Sequence, residues 1–456
     1  MAAIDPTDVR PNACDLTHDQ LGWIERAWSL LDRDQLERLI SEMVDIPSPT
    51  GGERACAEYA VTRMREGGLD AEYQALSPAR GNAVGRLRGE GSGPSLLLYG
   101  HFDHYIAGAD DDRLVVGDLD HPSFRSVAAR DGEVIHGAGA GNPKAGAAAA
   151  ILAAQAVAAS GAKLCGDVIV GLVSGGIHRV QTPHAGRPYV GEAYEGQGIG
   201  TLHMLRHGVQ ADYCLSTKPG YRVVWEEPGV VWIKLTVQGV VGYSARRGVF
   251  RRAISDAARL IPALEDWFES YAERHSDGQV ATPGHVGAIE GGWPFKPDFS
   301  PSVCNLYLDL RISPRSDVRD ALREFAAFVD GFRADHPDIS IAWEPYSSMP
   351  GTATEPGNWI VQSAMRAWEA VEGSPHRART GLSGMTDAAV LRTWGVPTAR
   401  LGGEVRHAGD PAFGFLSGEG ADLDVMMRVA RCYVFSIIDT CTRSLAEVRA
   451  NGTGMP

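Results

Sequence analysis

A chain of 456 residues can bury more than one core, and two domains is the natural expectation. Its apolar fraction of 44% and charged fraction of 22% are those of an ordinary globular protein. The net charge of −14 speaks against a nucleic acid or an anionic membrane as partner, because both need a basic face.

The seven cysteines (Cys14, Cys56, Cys165, Cys214, Cys304, Cys432 and Cys441) are scattered without a CxxC pair. They read as buried thiols, not as a disulfide framework or a thiolate zinc site. The first twenty residues carry acids and a proline where a signal peptide needs an apolar core, so a cytoplasmic protein is expected.

In chain order, helical stretches at about 18–31 and 33–43 lead to the turn Ile46-Pro47-Ser48-Pro49-Thr50-Gly51-Gly52, and an amphipathic helix follows at about 53–66. Short apolar runs then alternate with helical ones: 95–99, the alanine-rich 145–160, 167–173 and 213–216. The alanine-rich run is too short to span a bilayer. Continuous apolar runs separated by helices predict a mainly parallel, doubly wound sheet covered on both faces. Near Val230 the pattern changes. Val231, Ile233, Leu235 and Val237 alternate with partners, as do Leu306, Leu308, Leu310 and Ile312, which predicts antiparallel strands. Helical stretches at 253–271 and 317–333 complete an α+β lobe. From about 346 the earlier style returns, with helices at 358–371 and 387–392, a strand at 396–401 and a closing helix at 422–439. The fold class is therefore α/β: a discontinuous domain of 1–227 and 343–456, with an antiparallel sheet plus two helices inserted at 228–342.

The run Leu96-Leu97-Leu98-Tyr99-Gly100-His101-Phe102-Asp103 sets a histidine and a carboxylate just past the carboxyl end of a strand, the edge where doubly wound sheets bind ligands. Such an i, i+2 pair serves as metal ligand plus orienter, as catalytic base plus orienter, or as a structural hydrogen bond. The segment from Gly137 to Gly146, with Asn142 and Lys144, opens the alanine-rich helix. Its glycines let backbone approach a ligand, and the helix N-terminus favours anions. Ser383-Gly384-Met385-Thr386-Asp387-Ala388 starts another helix.

Taken together, these motifs resemble the zinc amidohydrolase family of acetylornithine deacetylase, succinyl-diaminopimelate desuccinylase and the aminoacylases. The resemblance runs from about Ile46 to the last helix and includes Ile289-Glu290-Gly291-Gly292 and Asn305-Leu306-Tyr307-Leu308-Asp309-Leu310-Arg311. It implies a catalytic domain with an inserted dimerisation or lid domain, a homodimer, and two zinc ions bridged by one aspartate. This chain departs from that pattern. The bridging position falls on Asn142. The glutamate pair after the strand at 167–173 is replaced by Ser174-Gly175-Gly176-Ile177-His178. The acidic ligand of the Glu-Pro motif becomes Lys218-Pro219, and the histidine of the inserted lobe aligns with Tyr243. His101, Asp103 and His407 remain.

Hydrolytic zinc sites need about three protein ligands per metal and an open position for water. A protonated lysine about 4 Å from a dication costs roughly 8 kcal/mol at an effective dielectric near 20. These departures imply a degenerate metal site, and the expectation is an enzyme with no metal cofactor. It would take a small amino-acid-like or acylated carboxylate as substrate, through condensation, cyclisation, acyl transfer or proton transfer. His101, Asp103, Lys218, Asn142, His178 and His407 are the candidate catalytic residues, with Lys144, Tyr243, Thr386 and Asp387 as candidate substrate contacts. A non-catalytic binding protein is one alternative. A hydrolase with one zinc on His101, His178 and His407 is another.

Overall fold

The computed structural model describes residues 4–106, 112–117, 122–180, 182, 196–246, 248–406 and 420–452. Its larger domain is built on a six-stranded sheet in the order Asp70–Ser77, Arg80–Leu87, Val168–Val173, Leu96–His101, Tyr213–Ser216, Thr398–Arg400. The last four strands are parallel, as the apolar runs predict. Leu96, Leu98, Val168, Val170 and Leu172 point into one core and Leu97, Tyr99, Ile169 and Val173 into the other, so each run is apolar because both faces are covered. The helix Ala145–Ala159 is buried on nearly all sides beneath this sheet, and its small residues leave room for the closing helix Leu423–Cys441 to lie against it.

The first two strands form an antiparallel hairpin at one edge, which makes the sheet mixed. Their sequence hides them: Arg80, Gly81, Asn82 and Gly85 interrupt any apolar alternation, yet the strand Arg80–Leu87 is almost wholly buried. Arg80 reaches Glu53, and the Asn82 amide donates to the carbonyl of Gly200, so tertiary partners replace the missing apolar surface.

The inserted lobe is a four-stranded antiparallel sheet in the order Gly284–Gly291, Val303–Ile312, Gly229–Gln238, Ser340–Met349. Helices Ala253–His275 and Val318–Asp335 cover one face, burying Ile233, Leu235, Leu306, Leu308 and Phe325. Among the described residues, no helix is long and apolar enough to cross a membrane. The parallel strands end at His101, Val173 and Ser216, so three loops converge at one edge of the sheet.

Candidate active site

His101 ends its strand with no exposed surface. Its Nδ1 lies 2.9 Å from Asp103 Oδ1. Asp103 also accepts from the Gly176 amide at 2.7 Å, the Ile177 amide at 3.0 Å and the Thr50 hydroxyl at 2.9 Å. Burial pushes the Asp103 carboxyl up, but the His101 bond, the Ile177 amide and the Lys218 charge outweigh it and hold it well below the usual carboxylate range. An ionised Asp103 that only accepts makes His101 Nδ1 the donor, which leaves Nε2 with its lone pair. Burial, then the charge of Lys218, lowers the His101 pKa to about 4, so the ring is neutral at pH 7.

The loop Ser174-Gly175-Gly176 presses against this ring. A Cβ at Gly176 would overlap the imidazole, which is the physical reason for a glycine there. Glu53 Oε1 holds the loop by accepting from the Gly175 amide at 3.0 Å and from Arg80 Nη2 at 3.2 Å. Burial, and then the charge of Asp103, push the Glu53 carboxyl up to about 7.

Asn142 sits at a kink before the alanine-rich helix, with φ −144° and ψ 106°, which turns it out of the helical path. Among the described residues its buried Oδ1 makes no hydrogen bond of good geometry, and neither does His101 Nε2, although the Asn142 side chain stands close enough to His101 to raise its pKa as a hydrogen bond would. Lys218 follows the strand Tyr213–Ser216 and donates to the Gly176 carbonyl at 3.1 Å. Burial lowers its pKa, while the charges of Asp387, Asp103 and Glu227 oppose that shift. Asp387 accepts from Tyr99 at 2.5 Å and Thr201 at 3.0 Å, and burial, opposed by Lys218, raises it to about 6.

A cavity of about 650 Å³ opens here, with Asn142, Lys218, Arg222, Met385, Thr386 and Arg400 among its walls. The Thr386 hydroxyl donates to Glu227 Oε2 at 2.6 Å, and Asp387 lies behind it. Lys144 is turned away: its fully buried Nζ donates to the Ile46 carbonyl at 3.0 Å. Tyr243 is half exposed on the lobe, tilted against Phe299. His178 meets the lobe instead of His101, with Nε2 at 3.1 Å from Ser347 Oγ and its ring edge-on to Trp232. His407 lies outside the described residues. The same structure adds three residues that sequence reasoning left aside, Glu53, Glu227 and Arg400. The only sequence signals for the latter two are charges inside otherwise apolar runs, Glu226-Glu227 after Val223-Val224-Trp225 and Arg400 inside 396–401.

Comparison with known proteins supports this picture of the fold. Residues 226–335 match the peptidase dimerisation domain. The chain is 24% identical over 408 residues to an N-formyl-4-amino-5-aminomethyl-2-methylpyrimidine deformylase of Halalkalibacterium halodurans, covering 81% of this chain and 87% of the relative. Human carnosine dipeptidase 1 shares the fold with a TM-score of 0.68 at 13% identity, over 94% of this chain and 99% of that one. A dinuclear metal-binding peptidase of the M20 family from Bacillus subtilis has a TM-score of 0.58 at 14% identity, over 90% and 99%.

These relatives correct one expectation. A site with no cofactor, or with a single zinc, conflicts with a fold shared with a dinuclear metal-binding peptidase, and a metal pair is the group that this fold implies. The misleading step was to read the cofactor from substituted positions alone. The described side chains do not fit a metal pair, however. Among them no group of three or more histidine, cysteine, aspartate or glutamate side chains could hold a metal ion. One imidazole nitrogen, one neutral amide oxygen and one ammonium meet at this edge, and an ammonium repels a cation.

Proposed function

We propose, from the premise that this chain belongs to the zinc amidohydrolase and peptidase family that includes the M20 peptidases, that it hydrolyses an amide-type bond in a small molecule carrying a carboxylate. The relatives are peptidases and deformylases, which favours hydrolysis over condensation, cyclisation or transfer. One observation carries the assignment to this site: His101 is locked by Asp103, and among the described residues its buried Nε2 faces no partner but the cavity-lining Asn142. In this reading Nε2 takes a proton from water as the water oxygen bonds to the carbonyl carbon. The carbonyl electrons move to oxygen, where the Asn142 amide donates to the developing charge. The C–N bond then breaks, and the proton held by His101 passes to the leaving nitrogen. A pKa near 4 makes His101 a weak base, and Lys218 is the second cause of that depression. A substrate anion seated on Lys218 offsets the charge and moves His101 toward its working range.

The test is amine release from a panel of N-formyl and N-acetyl amino acids and dipeptides. Turnover is expected, and His101→Gln should lower kcat/KM by on the order of 100-fold or more. No amine from any of these compounds, or an unimpaired glutamine variant, would refute the reading. A binding protein without turnover is the second reading, favoured by the complete burial of His101. It gives ligand binding with no amine.

We also propose a homodimer formed mainly by residues 228–342. Val241, Val249, Trp293 and Phe295 are all more than half exposed on the lobe, an apolar surface that a lone lobe would leave in water. Light scattering should report a dimer, and Trp293→Asp with Phe295→Asp should give monomers. A monomeric unaltered chain sinks this assembly.

A further inference from the structure

Lys218 and Arg400 line the cavity although each is more than nine-tenths buried, at 7% and 6% exposure. Burying a cation is costly unless its donors are met. The other basic groups here are committed. Arg222 donates to the Tyr221 carbonyl and stacks on Trp368 at 4.4 Å, Arg379 pairs with Glu404, and Arg392 bonds to Thr352, Thr354 and Thr398. Lys218, by contrast, makes one bond for its three donors among the described residues, to a carbonyl. Among the described residues the Arg400 side chain meets only Glu227, as an ion pair with Nη1 3.0 Å from Oε1, and its buried Nε has no partner.

Two cavity-wall residues beside Arg400 are glycines. A Cβ at Gly220 would come to 4.0 Å from its Nε, and one at Gly384 to 3.9 Å from Nη1, so neither position carries a side chain that would cover the guanidinium. Glu227 is itself fixed, by the Thr386 hydroxyl on one oxygen and by Arg392 at 3.9 Å. A neutral ligand leaves these buried donors unmet, whereas an oxyanion offers about four lone pairs to them.

We propose that Lys218 and Arg400 form a two-cation seat for one oxyanion of the substrate, a carboxylate or a phosphate, and that Glu227 is the positioning residue that aims Arg400 into the cavity. The proposal rests on reading this cavity as the substrate site. It goes further by naming the group that is recognised, the residues that recognise it, and its place beside the His101–Asp103 pair.

Titration calorimetry on the full chain tests the seat with three probes: N-acetylglycine, its uncharged relative N-acetylglycinamide, and inorganic phosphate. N-Acetylglycine should bind at least about tenfold more tightly than the amide, a difference of about 1.4 kcal/mol. Phosphate binding in preference to N-acetylglycine would keep the seat and assign it to a phosphate. Arg400→Met and Lys218→Met should each weaken anion binding about tenfold. Glu227→Gln should weaken the anion and leave N-acetylglycinamide unchanged, whereas a merely structural glutamate would affect both. Equal affinity for acid and amide in the unaltered chain, with phosphate bound no better than either, overturns the proposal without any variant, as does failure of both anions to bind. Undiminished anion binding by a folded Arg400→Met protein overturns it too. Amine release measured on the same samples separates the two readings. Anion-selective binding without amine release removes the hydrolase and keeps the seat. Equal turnover of acid and amide keeps the hydrolase and removes the seat.

Discussion

Asp439 and Asp103 are carboxylates with no exposed surface in the same domain, and they are treated in opposite ways. Asp439 accepts from Ser363 at 2.7 Å, from Arg366 at 2.7 Å and from Arg443 at 3.1 Å, and both guanidiniums lie over the ring of Trp359. Its charge is answered by charge in direct contact. Asp103 is answered by two amides, a hydroxyl and an imidazole, while the nearby ammonium of Lys218 bonds to a carbonyl instead. The first cluster closes on itself. The second ends in an imidazole nitrogen, an amide oxygen and an ammonium with capacity left at the edge of a cavity. Burial of charge alone therefore does not mark a functional site; capacity left unused beside an opening does.

The largest expected effect separates the two by activity. Asp103→Asn keeps the shape but removes the acceptor that fixes the His101 tautomer, and kcat/KM for amide hydrolysis should fall by on the order of 100- to 10,000-fold. The asparagine NH2 also meets donors that Asp103 accepts from, so stability should fall by about 1–3 kcal/mol, and turnover is compared per folded molecule. An active Asp103→Asn protein would make the open cluster as structural as the closed one. Next in size, Asp439→Ala strands two buried guanidiniums and should cost about 3–5 kcal/mol of stability by denaturant titration. Activity per folded molecule should persist below the lowered melting temperature. Loss of turnover in protein that is still folded would break the distinction from the other side.

How much of this was legible in the sequence differs between the same two regions. The parallel strands, the alternation in the lobe and most helices follow from apolar periodicity, and the His101–Asp103 pair shows itself through its place after an apolar strand. The hairpin Asp70–Ser77 and Arg80–Leu87 does not, because Arg80 and Asn82 are buried through partners far away in the chain. Arg400 and Glu227 stayed hidden for the same reason: a charge reads as surface until its partner is known. Lys144 illustrates the converse. Its place in a glycine-rich helix start suggests a ligand contact, but the kink at Asn142 turns the chain so that its ammonium meets Ile46.

The smallest expected effect is a pH dependence, and it sharpens the comparison between histidines instead of aspartates. Burial, and then Lys218, lowers His101 to about 4 in the folded chain, and burial, then Arg222, lowers His376 to about 4, both from 6.5. The folded state thus binds fewer protons than the unfolded state between those values. The stability tied to each neutral ring is fully present above about 6.5 and is lost as pH falls toward 4. Asp387, raised to about 6, and Glu53, raised to about 7, act in the other direction: their contribution is full below about 4 and fades as pH rises through 6 to 7. In the window from 6.5 to 4 the two sets oppose each other, so single variants are more telling than the net curve. Either His101→Gln or His376→Gln should make the loss toward acid shallower, by up to about 1.4 kcal/mol per pH unit. The two differ in what a ligand does. His376 Nε2 accepts from the Val223 amide at 3.0 Å in a site without Lys218, so saturating N-acetylglycine should leave its share of the slope where it was. His101 has Lys218 as the second cause of its depression, so the same anion should shift its share to higher pH. Denaturant titrations at pH 7, 6, 5 and 4.5, with and without N-acetylglycine, read both. A ligand shift that survives His101→Gln would show that the anion acts elsewhere, and the open cluster would lose its link to the cavity.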